Sequence, residues 1–424
     1  MQIEIVNGRI IDPSEQFDQQ GSLYIAEGVI VGRGLAPEGF HADKKIDASG
    51  QIVCPGFVDL SARLREPGAT HKASIQSETR AAASAGFTGL CVPPDTKPVI
   101  DTAAVVELIN DKAEQCAYGN IYPIAALTRG LAGKELSSMY SLKQAGCIAV
   151  SHARRAIADL LVLRRAMEYA ATHDLLFIYC PQEQALSHQG CAHEGAMASQ
   201  YGLPSIPVVA ETIALLQCLE LVRQTGCRVH FQGLSCARSV DLIAQAKADA
   251  LPISADVAMH QLHLIDEQML PYASEYHVLP PLRSATDRAA LLAGVQAGTV
   301  DCICSDHQPH DLDAKLGAFP ETEPGMATLE TILPLMLRMV TQGDLDMAQG
   351  IARLSSAPAK ILGIQAGCLA VGQSADICVF DPKQAWQINA QTWQSQGRNT
   401  PFWQENMLGK VTHTIMAGQV IFSA

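Results

Sequence analysis

The sequence is poor in basic and aromatic residues and contains no long uncharged apolar run. Lys and Arg total 30 against 43 Asp and Glu, which gives a formal net charge of −13 at pH 7. No run of Lys or Arg interrupts this acidic balance, so a nucleic-acid surface and an anionic-membrane surface are not expected. No stretch of about 18 apolar residues without charge is present, so we predict no membrane-spanning segment.

Paired cysteine motifs are also missing, although the chain has 13 cysteines. None forms a CxxC pair, and the closest spacing is Cys302-Ile303-Cys304. On an apolar strand this spacing places both thiols on one face, which favours core cysteines over a disulfide framework. The N-terminus, MQIEIVNGRIIDP, is strand-like and has an early acidic residue, unlike a secretory signal. These features predict a cytoplasmic protein.

The order of patterns along the 424 residues predicts two domains. Residues 1–51 and 364–424 both show short strands and turns, so the two ends are expected to form one small β-domain. Residues 52–363 alternate short apolar runs with helical stretches, as in GFTGLCV followed by AAVVELINDKAEQC. Repeated strand–helix units favour a parallel sheet covered by helices. About eight such units predict a (β/α)8 barrel.

In such a barrel, functional residues lie where the strands end. The first unit ends in PGFVDLSARLREPG (residues 55–68) and the last strand in CICSDHQPH (residues 302–310). These segments resemble the dihydroorotases, of the cyclic amidohydrolase family. The similarity runs nearly end to end, through AAASAGFTGLCVPPDTKP (81–98), ISADVAMHQL (253–262) and GQSADICVFDP (372–382). It implies an α/β fold in which the (β/α)8 barrel carries a β-sandwich built from both termini.

The resemblance also implies a chemistry and a set of metal-ligand positions. The family interconverts carbamoyl aspartate and dihydroorotate, and one or two zinc ions activate the attacking water. Its ligands are an HxH pair on the first strand, a carboxylate or carboxylated lysine on the fourth, one histidine each on the fifth and sixth, and an aspartate on the eighth. The matching positions of this sequence are Ser61, Arg63, His152, Tyr179, Gly233 and Asp306.

Most of these positions hold residues that do not bind zinc well. Serine and tyrosine are weak ligands, glycine has no side chain, and arginine is itself a cation. Asp306 and His152 together fall short of the three or more converging donors that zinc requires. We therefore expect no zinc cofactor, with Asp306 a vestige of the catalytic site. Arg63 is expected to contact Asp306 and to supply the missing positive charge.

The positions that hold the substrate in the family are partly retained. Arg65 matches the arginine of HLREPG and His310 matches the last histidine of DHAPH, and in the family both grip the substrate carboxylate. The asparagine of MPNT is replaced by Asp95, and the asparagine of NPPLR by Leu279. An aspartate repels an anionic substrate and a leucine removes an amide, so the site implied at Arg65, Asp95 and His310 is vestigial.

An intact framework without its chemistry favours a binding or assembly role. Dihydroorotase-like chains without zinc ligands serve in some bacteria as non-catalytic subunits of aspartate carbamoyltransferase. The resemblance implies that this chain assembles or stabilises that enzyme, in pyrimidine (UMP) biosynthesis, by binding its catalytic chain.

Two alternatives stay open at this point. One is an active dihydroorotase or related cyclic amidohydrolase, with an unusual metal site on Asp306, His152 and Cys180. The other is a protein that binds carbamoyl aspartate through Arg65 and His310. The sequence also leaves open a homodimer, the stoichiometry and contact surface with the transferase, and regulation by nucleotides.

Overall fold

A computed structural model describes residues 1–269 and 272–424 of the chain. Its strands are β1 (Ile3–Asp12), β2 (Phe17–Ala26), β3 (Val29–Arg33), β4 (Lys44–Asp47), β5 (Ile52–Pro55), β6 (Phe57–Asp59), β7 (Phe87–Val92), β8 (Asn120–Ala126), β9 (Ala149–Ser151), β10 (Leu176–Tyr179), β11 (Ala192–His193), β12 (Ser205–Ile206), β13 (Val229–Phe231), β14 (Ile253–Ala258), β15 (Cys302–Cys304), β16 (Ile377–Gln387), β17 (Asn406–Met416) and β18 (Gln419–Ser423). Its helices are α1 (Ile75–Ser84), α2 (Ala103–Cys116), α3 (Met139–Gln144), α4 (Leu160–Thr172), α5 (Gln184–Ser187), α6 (Ala196–Tyr201), α7 (Val209–Thr225), α8 (Ala237–Ala248), α9 (Ala285–Ala297), α10 (Ile332–Gln342), α11 (Met347–Leu354) and α12 (Ser356–Leu362).

Strands from the two ends of the chain share one sheet. Its order is β18-β17-β16-β5-β1-β2-β3, and β4 pairs with β1. The N-terminal and C-terminal strands meet where β5 runs antiparallel to β16, with Cys54 opposite Cys378. Alternate residues of β1, such as Ile3 and Ile5, lie in the apolar core of this domain, as the strand period of two requires. The β-sandwich expected from both termini is therefore present.

Eight parallel strands form the barrel. Neighbouring strands follow the order of the chain, from β6 through β7, β8, β9, β10, β13 and β14 to β15. Two backbone hydrogen bonds close the circle, since Arg63 N donates to the His307 carbonyl at 2.9 Å and His307 N donates to the Ser61 carbonyl at 3.1 Å. The predicted (β/α)8 barrel is confirmed, and its first and last strands are neighbours.

Local sequence explains where individual helices begin and end. Ser74 begins α1, because its side chain accepts a hydrogen bond from Ser77 N at 3.1 Å. Helix α7 ends at Gly226, whose left-handed backbone (φ 65°) stops the helix at little cost. None of the described helices combines the length and apolar character needed to cross a lipid bilayer.

The cysteines lie mostly in the core, as their scattered spacing predicts. All 13 are free thiols, and most are buried. Cys302 and Cys304 of β15 belong to one apolar cluster, together with Val58 of β6 and Leu362 of α12. Two thiols two positions apart on a strand therefore share a face, in agreement with the sequence pattern.

Glu78 of α1 connects the barrel to the C-terminal part of the chain. Its fully buried carboxylate lies 2.7 Å from His307 Nε2, and it accepts from Ser395 Oγ at 2.6 Å and from Gln396 N at 3.1 Å. Burial raises the pKa of Glu78, but the hydrogen bonds from His307, Ser395 and Ser77 outweigh it, so the pKa lies below its ordinary value. The ionised carboxylate thus holds three segments together.

The Glu78→Ala variant tests this connection. It leaves the buried groups of His307 and Ser395 without their acceptor, so we expect the free energy of unfolding to fall by about 3–5 kcal/mol. Urea denaturation measures the change. The control is Glu107→Ala on the exposed side of α2, for which the expected change is within about 0.5 kcal/mol. If the free energy of unfolding falls equally little in both variants, Glu78 does not hold the three segments together.

Candidate functional site at the barrel mouth

The predicted ligand positions lie at one end of the barrel, because the strands are parallel and each position follows or ends a strand. They are Ser61 and Arg63 after β6, His152 after β9, Tyr179 at the end of β10, Gly233 after β13, and Asp306 after β15. We call this end the barrel mouth.

Two guanidinium groups hold the carboxylate of Asp306. Its Oδ2 accepts from Arg154 Nη2 at 2.7 Å, and its Oδ1 lies 3.6 Å from Arg63 Nη1. Gln308 Nε2 adds a hydrogen bond at 3.3 Å, and Asp306 is only 3% exposed. The expected contact between Arg63 and Asp306 is present. Arg154 makes the shorter contact, although no motif in the sequence marks this residue as part of the site.

Arg63 shares its charge between two carboxylates. Besides Asp306, it contacts Asp95, whose Oδ2 accepts from Arg63 Nε at 2.9 Å. Burial raises the pKa of Asp95, but the charge of Arg63 and the hydrogen bond from it prevail, so the pKa lies below the ordinary value. Asp95 is therefore the ion-pair partner of Arg63, which offsets the repulsion that a free aspartate exerts on an anion.

These contacts show how well the mouth fits the zinc site of the family. A zinc ion needs three or four converging donors. Arg154 occupies one oxygen of Asp306, Ser61 Oγ lies 3.5 Å from the other, and Gly233 offers no side chain. Burial raises the pKa of Tyr179, so this phenol stays protonated and is a poor ligand. The residues present do not fit a zinc site of the family type.

Two buried imidazoles at the mouth have ring nitrogens without a hydrogen-bond partner in the described parts of the chain. These are Nε2 of His152 and both nitrogens of His260. Burial lowers the pKa of each ring to about 4, and a nearby arginine adds to the effect, Arg155 for His152 and Arg154 for His260. Both rings are therefore neutral at pH 7 and do not compete for the carboxylate of Asp306.

Cys180 does not supply an activated thiolate. Its Sγ lies 3.2 Å from Gln232 Oε1, to which the thiol donates. Burial raises the pKa of Cys180 to about 11, against the opposing charges of Arg154 and Arg63. The thiol is thus protonated at neutral pH, a state that is neither a nucleophile nor a metal ligand.

A second group of potential ligand atoms lies on β13, β14 and β15. Atoms of His230, Asp256 and Cys302 come within 4.8 Å of one another, and all three residues are buried. His230 Nδ1 lies 2.8 Å from Ser254 Oγ, and its Nε2 lies 3.0 Å from Asp256 Oδ2. Because both ring nitrogens are engaged, the arrangement is that of a satisfied core network.

Arg65 and His310 contact each other instead of standing free. Arg65 Nη2 lies 2.9 Å from His310 Nε2, and Arg65 Nε donates to the Pro309 carbonyl at 2.9 Å. Burial lowers the pKa of His310 to about 2, with Arg65 the next cause, so the ring is neutral. The two residues stabilise the loops after β6 and β15, and Arg65 also lines a cavity of about 320 Å³ that includes Asp95.

The Arg154→Met variant tests the ion pair at the mouth. It leaves the longer contact to Arg63 as the one ion pair of the buried Asp306 among the described residues. We therefore expect the free energy of unfolding, measured in urea, to fall by about 2–3 kcal/mol. The double variant Arg154→Met/Asp306→Leu removes both charges and should lose less stability than the single variant.

The matched control for that experiment is the exposed pair of Arg164 and Glu168, whose atoms lie 3.0 Å apart on α4. Arg164→Met should cost less than about 1 kcal/mol, because water screens an exposed pair. If Arg154→Met costs no more than Arg164→Met, then Arg154 does not stabilise the buried carboxylate.

Comparisons with known proteins agree with the fold. A family model described as dihydro-orotase-like matches residues 50–239. An L-hydantoinase (dihydropyrimidinase) from Arthrobacter aurescens has a TM-score of 0.87 at 22% identity, over 99% of this chain and 95% of that one. A D-hydantoinase (dihydropyrimidinase) from Thermus sp. has a TM-score of 0.85 at 22% identity, over 99% and 94%. At this identity, the solved structures show the fold alone.

Curated relatives match along the whole chain. Dihydroorotase-like proteins from Pseudomonas aeruginosa and Pseudomonas putida are 48% and 47% identical over 420 residues, covering 99% of this chain and of each relative. A protein named dihydroorotase from Citrifermentans bemidjiense is 39% identical over 427 residues, covering 100% of both chains. The chain therefore belongs to the dihydroorotase-like family.

Proposed function

We propose that this chain is a non-catalytic member of its family that assembles or stabilises aspartate carbamoyltransferase by binding its catalytic chain, in pyrimidine biosynthesis. The observation that supports a non-catalytic role is the pairing of Asp306 with Arg154 at 2.7 Å and with Arg63 at 3.6 Å. The two arginine side chains thus contact Asp306, the one metal-ligand residue of the family that the sequence retains. The transferase is the partner implied by the sequence resemblance.

The same contacts support the absence of hydrolysis. Opening a cyclic amide with water requires a nucleophile activated by a metal ion or by a general base. A guanidinium has no vacant coordination position for water, and it holds the carboxylate of Asp306 as an ion-pair partner. The neutral rings of His152 and His260 have pKa values of about 4, which makes them weak bases at pH 7.

An assembly role needs only differential binding. A chain that binds the assembled transferase more tightly than its separate subunits shifts the equilibrium toward the assembly. Such a role depends on a stable fold and not on the chemistry of the mouth. The contacts of Arg154 with Asp306 and of Arg63 with Asp95 fit this requirement. They neutralise two carboxylates that would otherwise destabilise the fold as unpaired buried charges.

The second candidate is an active dihydroorotase or related cyclic amidohydrolase. Full-length relatives that carry the name dihydroorotase, at 39% identity, favour it. Its metal would bind to Asp306, His152 and Cys180, and Nε2 of His152 has no partner among the described residues. The raised pKa of Cys180 and the guanidinium on Asp306 count against this arrangement.

Metal content and turnover separate the two candidates. For the purified chain, we expect elemental analysis to find zinc far below one ion per chain, and we expect no dihydroorotate hydrolysis above that of the Asp306→Ala variant. Zinc near one ion per chain, with turnover that Asp306→Ala abolishes, establishes the enzyme instead. The same two quantities, zinc content and dihydroorotate hydrolysis, are also measured after the purified chain has been incubated with zinc. This control shows whether metal was lost during purification.

Co-expression with the transferase catalytic chain tests the partner. We expect the two chains to elute as one complex in size-exclusion chromatography, with transferase activity that falls when this chain is omitted. The Cys180→Ser variant keeps a hydrogen-bond donor to Gln232 and leaves the ion pairs of the mouth intact. It should support the complex equally well, because the assembly role uses no chemistry of the mouth. Separate elution with unchanged transferase activity refutes the assembly role.

A further inference from the structure

The barrel mouth has an excess of positive charge, although the chain as a whole carries −13. Four guanidinium groups lie around two carboxylates, namely Arg63, Arg65, Arg154 and Arg155 around Asp95 and Asp306. Within the described residues, Arg65 and Arg155 have no carboxylate partner. Such a local excess on an acidic protein attracts anions to this end of the barrel.

Two of these arginines line a cavity of about 520 Å³. It opens beside the loops that follow β9 and β10, and its size is that of a pocket for a small metabolite. None of the lining residues in the described parts of the chain is acidic. Its polar side chains are those of Arg154, Arg155, Gln182, Gln184, Ser187 and Gln189.

The guanidinium of Arg154 is fixed in place and only partly used. Its Nη2 donates to Asp306 at 2.7 Å, while its Nε and Nη1 make no hydrogen bond to the described residues. Arg155 makes one long contact, from Nη1 to the Gly130 carbonyl at 3.5 Å. The ion pair with Asp306 already holds Arg154 in position, so ordering this side chain costs little further entropy when a ligand binds. Both guanidiniums still have N–H groups that can donate to the ligand.

The glutamine side chains extend the polar surface. Gln182, Gln184 and Gln189 each carry an amide with both donors and an acceptor. Amides of this kind bind the uncharged polar part of a ligand, such as an amide or hydroxyl group, while guanidiniums bind carboxylate or phosphate oxygens in pairs.

We propose that this cavity binds a small organic anion, whose carboxylate or phosphate group lies between Arg154 and Arg155 and whose polar remainder contacts the glutamines. The cavity shares Leu279 with the positions that hold the substrate in the family. The groups proposed to bind the anion, Arg154 and Arg155, are not among those positions, and the cavity beside Arg65 has a separate lining. It also goes beyond the assembly role, since the transferase complex can form whether or not an anion is bound.

Titration calorimetry with two simple probes tests the site on the full-length chain. Succinate presents carboxylates and inorganic phosphate presents phosphate oxygens, so the probe that binds identifies the anionic group. We expect at least one probe to bind with saturation below about 10 mM. The absence of binding by both probes at that concentration overturns the proposal.

Matched variants locate the binding. Arg155 is exposed, so Arg155→Gln should fold normally, and we expect it to weaken binding by about tenfold or more. Lys97→Gln, in the cavity beside Arg65, and Arg164→Gln, on the surface of α4, should leave the affinity unchanged. If Lys97→Gln weakens binding and Arg155→Gln does not, the anion binds at the other cavity and the proposal is wrong. Thermal unfolding of each variant shows that it is folded.

Discussion

The barrel mouth depends on one buried carboxylate and the two guanidiniums that neutralise it. Asp306 is almost fully buried, and an unpaired charge there costs several kcal/mol. Arg154 follows β9 and Arg63 follows β6, with β7 and β8 between these strands, so the ion pairs bridge loops that are distant in the chain. The ionised state of Asp95 follows from this arrangement, because Asp95 shares Arg63 with Asp306. The rings of His152 and His260 are neutral mainly because they are buried.

This network keeps the barrel mouth well packed with residues other than the metal ligands that the sequence resemblance implies. The buried carboxylate of Asp306, beside β6 and β15, requires a positive charge nearby, whether from a metal ion or from a side chain. Arg63 provides that charge from a position of the HxH pattern, after β6. Arg154 provides it from the loop after β9. Because a guanidinium binds carboxylates through fixed N–H groups, it orders the side chains of the site.

Much of the fold was predictable from the sequence, while the site was predictable in part. Strand–helix alternation indicates the barrel, and closure of the barrel places Arg63 beside Asp306. The role of Arg154 was not predictable, because its direction depends on the turn at Ala153, whose φ is 51°. Asp95 illustrates the same limit. Its residue type suggests repulsion of an anion, but only the tertiary structure shows the arginine that neutralises it.

The pairing of β5 with β16 has a consequence for how the protein is made. Cys54 and Cys378 face each other across this pair, so roughly 300 residues separate strands that must be adjacent. A nascent chain on the ribosome therefore exposes the edge of β5 until β16 has been synthesised. Unpaired strand edges promote aggregation. Truncated translation products of this protein should thus depend on chaperones or be degraded, even when their barrel segments are complete.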